Sequence, residues 1–136
     1  MNADTHKSHI DTVTQKIIGC AFTVSNKLGC GFLEKVYENA LCIELRKSGL
    51  SVAQQKVTQI KYDGAIVGEY TADIVVAESV LVELKAVKLL DDIHSAQCLN
   101  YLKATGISIC LLINFGRPRV EIKRIILTAD HKPTRN

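Results

Sequence analysis

The 136 residues suit one domain, and a composition of 47% hydrophobic and 23% charged residues excludes a disordered chain. A net charge of +3 is too small to announce nucleic-acid binding by itself. No apolar run approaches the roughly 18 residues of a membrane span, since the stretch from Ile107 to Phe115 is broken by Ser108 and Asn114.

In chain order, Ile10, Val13, Ile17, Ala21, Val24 and Leu28 recur at steps of three and four, which predicts an amphipathic helix closed by Gly29 and Gly31. The polar residues 1–9 before it are expected to fray. A second helix is predicted over Phe32–Ser48, with Val36, Tyr37, Ala40, Leu41 and Leu45 inside. The period then shifts towards two over Val52–Tyr62, and Asp63-Gly64 signals a hairpin into Ile66–Val76. A strand over Val80–Ala86 and a helix over Asp92–Ala104 follow. Ile107–Asn114 is apolar enough for a strand buried on both faces, and Gly116-Arg117-Pro118 turns into a last strand, Val120–Leu127. A flexible basic tail is expected over 128–136. The order α-α-β-β-β-α-β-β implies one α/β domain over 10–127, a mixed sheet flanked by helices.

Five cysteines, an odd number with no C-x-x-C pair, fit a reduced cytoplasmic protein. The polar N-terminus has no apolar stretch of the kind that heads secreted proteins. Zinc is not expected, because the short ligand spacings it favours are missing. Charge is uneven: residues 1–102 carry 10 basic and 12 acidic side chains, and residues 103–136 carry 7 and 2. Arg117, Arg119, Lys123 and Arg124 form either a solvated edge or a phosphate-facing strip.

The anomaly lies among the strands. Asp73 interrupts one apolar run, and Glu83 and Lys85 interrupt the next on a shared face. A three-residue loop, Ala77 to Ser79, would set Val76 opposite Val80 and Asp73 opposite Glu83. A two-residue turn would instead pair Asp73 with Leu84 and separate the carboxylates. Two carboxylates about 5 Å apart repel unless a cation lies between them. Hard oxygen donors on strands suit Mg²⁺ or Mn²⁺, with the lysine beside them for a water or a phosphoryl group. Solvated side chains on an outward face, with Asp73 in an ion pair, are the plain alternative. Glu34 on the second helix, and His94, Gln97 and Tyr101 on the third, fall on faces predicted to point inward. Each also has a plain account: Glu34 favours a helix start, and Gln97 and Tyr101 can satisfy one another.

Gly31-Phe-Leu-Glu34-Lys-Val-Tyr37, Gly68-Glu-Tyr-Thr-Ala-Asp73, Glu83-Leu-Lys85 and Gln97-Cys-Leu-Asn-Tyr101 follow one another in order. With them the chain resembles the GxxExxY protein family, a branch of the PD-(D/E)XK nuclease-like superfamily, over residues 10–127. The resemblance implies a restriction-endonuclease-like core and hydrolysis of nucleic acid, DNA more than RNA, with Mg²⁺ as cofactor and Mn²⁺ as substitute. It further implies that Asp73, Glu83, the Leu84 carbonyl and Glu34 hold the metal, and that Lys85 positions the attacking water. Gln97 and Tyr101 match a Q-x-x-x-Y element that positions substrate or the acidic cluster. His94 is a neighbour without a catalytic part. Ala72 stands where the superfamily's name has proline, which leaves Asp73 in place. The cysteine set of iron–sulfur branches is missing. A non-catalytic module that binds nucleic acid or a partner protein is the rival reading. A small domain also makes a homodimer or an accessory protein an expected partner, and no membrane is expected.

Overall fold

A computed structural model describes residues 3–128. Its elements run α1 (Ala3–Leu28), α2 (Glu34–Lys47), β1 (Val52–Tyr62), β2 (Ala65–Val76), β3 (Val80–Lys85), α3 (Asp92–Thr105), β4 (Ile109–Asn114) and β5 (Glu121–Ile126). α1 begins seven residues before the apolar period does, so most of the segment expected to fray is helical. Periodicity detects only the part of a helix that buries a face, and Lys7, Ser8 and His9, ahead of that part, are exposed. Of the basic tail expected over 128–136, all but Thr128 lies outside the described residues.

The five strands form one mixed sheet in the order β1-β2-β3-β4-β5, parallel between β3 and β4 and antiparallel elsewhere. α3 is the crossover that the parallel pair requires. β4 is buried along its whole length, as its apolar sequence demands. Asp63 and Gly64 both take positive φ, 50° and 79°, the twist that a two-residue hairpin needs.

The sheet separates two apolar layers. Ile74, Val76, Val82, Leu84, Leu111 and Ile113 pack under α1 and α2, with Ile17, Val24, Leu41 and Leu45. Tyr70, Val75, Leu81, Cys110 and Leu112 pack under α3, with Cys98 and Leu102. Tyr37 anchors the α1–α2 elbow. It is fully buried, its ring stacks on Phe115 with centroids 4.7 Å apart, and its hydroxyl donates to the Gly29 carbonyl at 2.6 Å. The same hydroxyl accepts from the Phe32 amide at 3.2 Å.

Candidate active site

The β2–β3 connection is the three-residue loop Ala77–Ser79, with Val76 paired to Val80, Val75 to Leu81 and Ile74 to Val82. The ladder between β2 and β3 ends there, one residue short of Asp73 and Glu83, which still lie near enough for the Asp73 charge to act on Glu83. Strand alternation slips just there: Ile74 and Val76 lie in the α1/α2 layer, whereas Ala72 and Tyr70, of the same parity, lie under α3. Opposite the slip, Gln55 takes φ 55°, outside extended backbone. The regular ladder therefore opens around Asp73.

Asp73 is half-buried and its Oδ2 accepts the Leu84 amide at 2.8 Å. Glu83 is only 8% exposed and accepts a hydrogen bond from the Tyr70 hydroxyl. Burial first, and then the neighbouring Asp73 charge, push the Glu83 carboxyl up to about 9, against the Tyr70 hydrogen bond that favours its charged form. Burial and the Glu83 charge drive the Tyr70 phenol far above its ordinary value, so Tyr70 serves as a donor. Lys85, half-buried at the end of β3, shares the Glu83 face by alternation. Its charge helps to lower the nearby Cys98 thiol, although the hydrogen bond with Cys110 is the larger cause. Tyr101 of α3 stacks on Tyr70 with centroids 3.6 Å apart and planes 13° apart.

The structure thus brings Asp73, Glu83, Leu84, Lys85 and Tyr101 to one place. Other expected residues stay away from it. Glu34 is the first residue of α2 and is exposed, because the helix starts beyond the edge of the core. The buried glutamate of α2 is Glu38, 4% exposed, which takes hydrogen bonds from Lys35, Gln54 and Gln55. Those partners hold its carboxyl below the usual range although burial, the largest influence, opposes them. Glu38 escaped sequence reading, yet it lies on the stripe of Tyr37, Leu41 and Leu45. Gln97 is also exposed, since α3 turns Cys98 and Leu102 to the sheet. His94 caps its own helix, its Nδ1 accepting the Asp91 amide at 3.1 Å.

The basic strip divides. Lys123 stands opposite Leu112, itself opposite Glu83, and so shares the α3 side of the sheet. Arg124 stands opposite Leu111 and lines a cleft with Ile18 and Phe22 of α1 on the other side. Arg117 pairs with Glu121 at 4.0 Å, and Arg119 is exposed in the turn. Lys123 and Arg124 are consecutive on β5 and face opposite ways, so the four side chains do not form one face.

Among the described residues, no three His, Cys, Asp or Glu side chains converge as a complete metal cage. Two crowded carboxylates, one of them buried and unwilling to ionise alone, nevertheless form a donor set that a hard dication would relieve. Mg²⁺ suits one or two carboxylates with waters or phosphate completing its shell. No helix of the described residues is long and apolar enough to cross a membrane.

No curated protein matches the chain. Solved structures that resemble it include "Crystal structure of SSO0001", at 18% identity and TM-score 0.57, and an alkaline exonuclease (LHK-Exo) from Laribacter hongkongensis, at 15% and 0.47. Each similarity covers 71% of this chain and only 50% and 57% of the other, so the chain matches about half the length of these neighbours. The first supports the fold alone. A family profile described as the PD-(D/E)XK nuclease superfamily matches residues 11–125, a span that contains Asp73, Glu83 and Lys85. The chain belongs to the PD-(D/E)XK nuclease superfamily.

Proposed function

We propose that the protein is a divalent-metal-dependent nuclease of the GxxExxY branch that hydrolyses phosphodiester bonds, DNA before RNA. The observation that carries this reading is the buried Glu83 carboxyl held beside Asp73, its ionisation deferred to about 9 until a cation joins the pair. Asp73 and Glu83 would hold Mg²⁺, or Mn²⁺ in its place, with the Leu84 carbonyl beside them. When bound, the ion supplies charge neutralisation and Lewis acidity towards a phosphate oxygen. Lys85 Nζ donates a hydrogen bond to the attacking water and offsets charge gathering on the phosphoryl oxygens. Tyr70 fixes the Glu83 carboxylate, and the Leu84 amide fixes that of Asp73. Glu34 would join only through water or a movement of the first turn of α2.

The exposure of Glu34 and Gln97 favours a second reading, a module that binds nucleic acid or a partner without cleaving it. End-labelled single- and double-stranded DNA and RNA, incubated with Mg²⁺, Mn²⁺ or EDTA, separate the two. Metal-dependent products that vanish in a folded Lys85→Ala variant support the nuclease. Binding without products in any metal supports the module. Sedimentation of the same samples tests whether a second copy joins.

A further inference from the structure

A groove of about 680 Å³ runs between the β1–β2 hairpin and α3, lined by Gln59, Ile60, Lys61, Asn100, Tyr101, Lys103 and Ala104. Its hairpin wall is irregular: pairing shifts between Ile60 and Lys61, and a bulge of this kind sharpens the local twist of a ribbon. Lys61 stands on one wall and Lys103 on the other, both exposed, and no carboxylate lines the groove. Tyr101, half-buried, connects the groove to the acidic pair. One face of its ring is covered by Tyr70, whose hydroxyl reaches Glu83.

We propose that this groove holds one strand of nucleic acid, with a base stacked on Tyr101 and its phosphates between Lys61 and Lys103. The inference rests on the nuclease reading and specifies its substrate as a single strand. Chemistry and size both favour that occupant. Ammonium groups on opposite walls suit a backbone threading between them, and the half-exposed tyrosine continues a stack already two rings deep. The volume lies within the roughly 300–1,000 Å³ of sites that hold one small ligand, a size that suits a nucleotide unit. Through Tyr101 and Tyr70 the groove adjoins Glu83 of the carboxylate pair.

The test measures fluorescence anisotropy of a labelled oligothymidine, and of a duplex of equal length, in EDTA so that nothing is cleaved. The wild-type protein is compared with Lys61→Gln/Lys103→Gln, Tyr101→Ala, Tyr101→Phe and, as a control on the opposite helix layer, Lys16→Gln. The single strand is expected to bind more tightly than the duplex. The double lysine variant should lower the salt slope by about 1.4, near 0.7 per phosphate contact on a single strand. Tyr101→Ala should weaken binding about tenfold while Tyr101→Phe keeps it, because the ring does the stacking. Equal binding by the double lysine variant and the wild type overturns the proposal, as does a preference for duplex. Metal-dependent cleavage of the same oligonucleotides is scored separately. Products from a protein indifferent to the groove variants would sink the groove and spare the nuclease. Groove-dependent binding without products would do the reverse.

Discussion

Asn114 grips Val87 from both sides. Its Oδ1 accepts the Val87 amide at 3.0 Å, and its Nδ2 donates to the Val87 carbonyl at 2.9 Å. The same side chain takes the Gly116 amide at 3.0 Å and reaches Glu121 at 3.1 Å. Asn114 is fully buried and pairs with Lys85 across the β3–β4 ladder, so it secures the chain just beyond the lysine. Asn114→Ala would strand several polar groups at once and should cost about 2–4 kcal/mol in urea unfolding, with faster exchange of the Val87 amide. A loss below about 1 kcal/mol would show that water replaces the clamp.

Glu83 predicts a dependence of stability on pH. Its folded pKa of about 9 lies above the ordinary 4.5. As pH rises past 4.5 the unfolded chain releases the proton while the folded chain keeps it, which favours unfolding. The stabilisation held below 4.5 is therefore lost progressively until pH approaches 9. Thermal unfolding in EDTA should show this decline, and Glu83→Gln should flatten it. Mn²⁺ added near pH 7 should stabilise the wild type and release protons, measurable by calorimetry in two buffers.

Glu38 works in the opposite direction. With its carboxyl held below 4.5, it contributes stability that is present above that value and disappears as pH falls through the folded one. Glu38→Ala should cost about 1–3 kcal/mol at pH 7, because Gln54 and Gln55 lose their acceptor, and the deficit should shrink in acid. A deficit unchanged at pH 3 would assign the loss to packing.

The divided basic strip gives a paired test. Lys123→Ala should weaken oligonucleotide binding and shallow its salt dependence, since Lys123 shares a cross-strand row with Glu83. Arg124→Ala, on the α1 side, should change neither. Equal effects would mean that the substrate wraps the sheet edge.

The acidic pair is legible in the sequence only through the three-residue turn, Ala77 to Ser79. Val76 meets Val80 as that turn requires, and counting on leads to Asp73 and Glu83, although the ladder itself stops at Ile74 and Val82. The slip of alternation at Asp73 is not legible in the sequence, because it leaves no local mark there and coincides with an unusual backbone at Gln55 on the neighbouring strand. Helix faces are less legible. Counting by threes and fours placed Glu34 and Gln97 inside, but the core ends before the first turn of α2, and α3 is rotated to bury Cys98 and Leu102. Periodicity gives the direction of a stripe and says nothing of where its burial stops.

Tyr37, the last residue of the G-x-x-E-x-x-Y signature, never meets the carboxylates; it ties the α1–α2 elbow to Phe115 and the Gly29 carbonyl. Tyr37→Phe should accordingly lower thermal stability by about 1 kcal/mol and leave cleavage per folded molecule intact. At its last position, then, the recognition pattern reports architecture. A chain stripped of Asp73 and Glu83 would still need this tyrosine to hold its elbow, so the tyrosine alone is no sign of a working site.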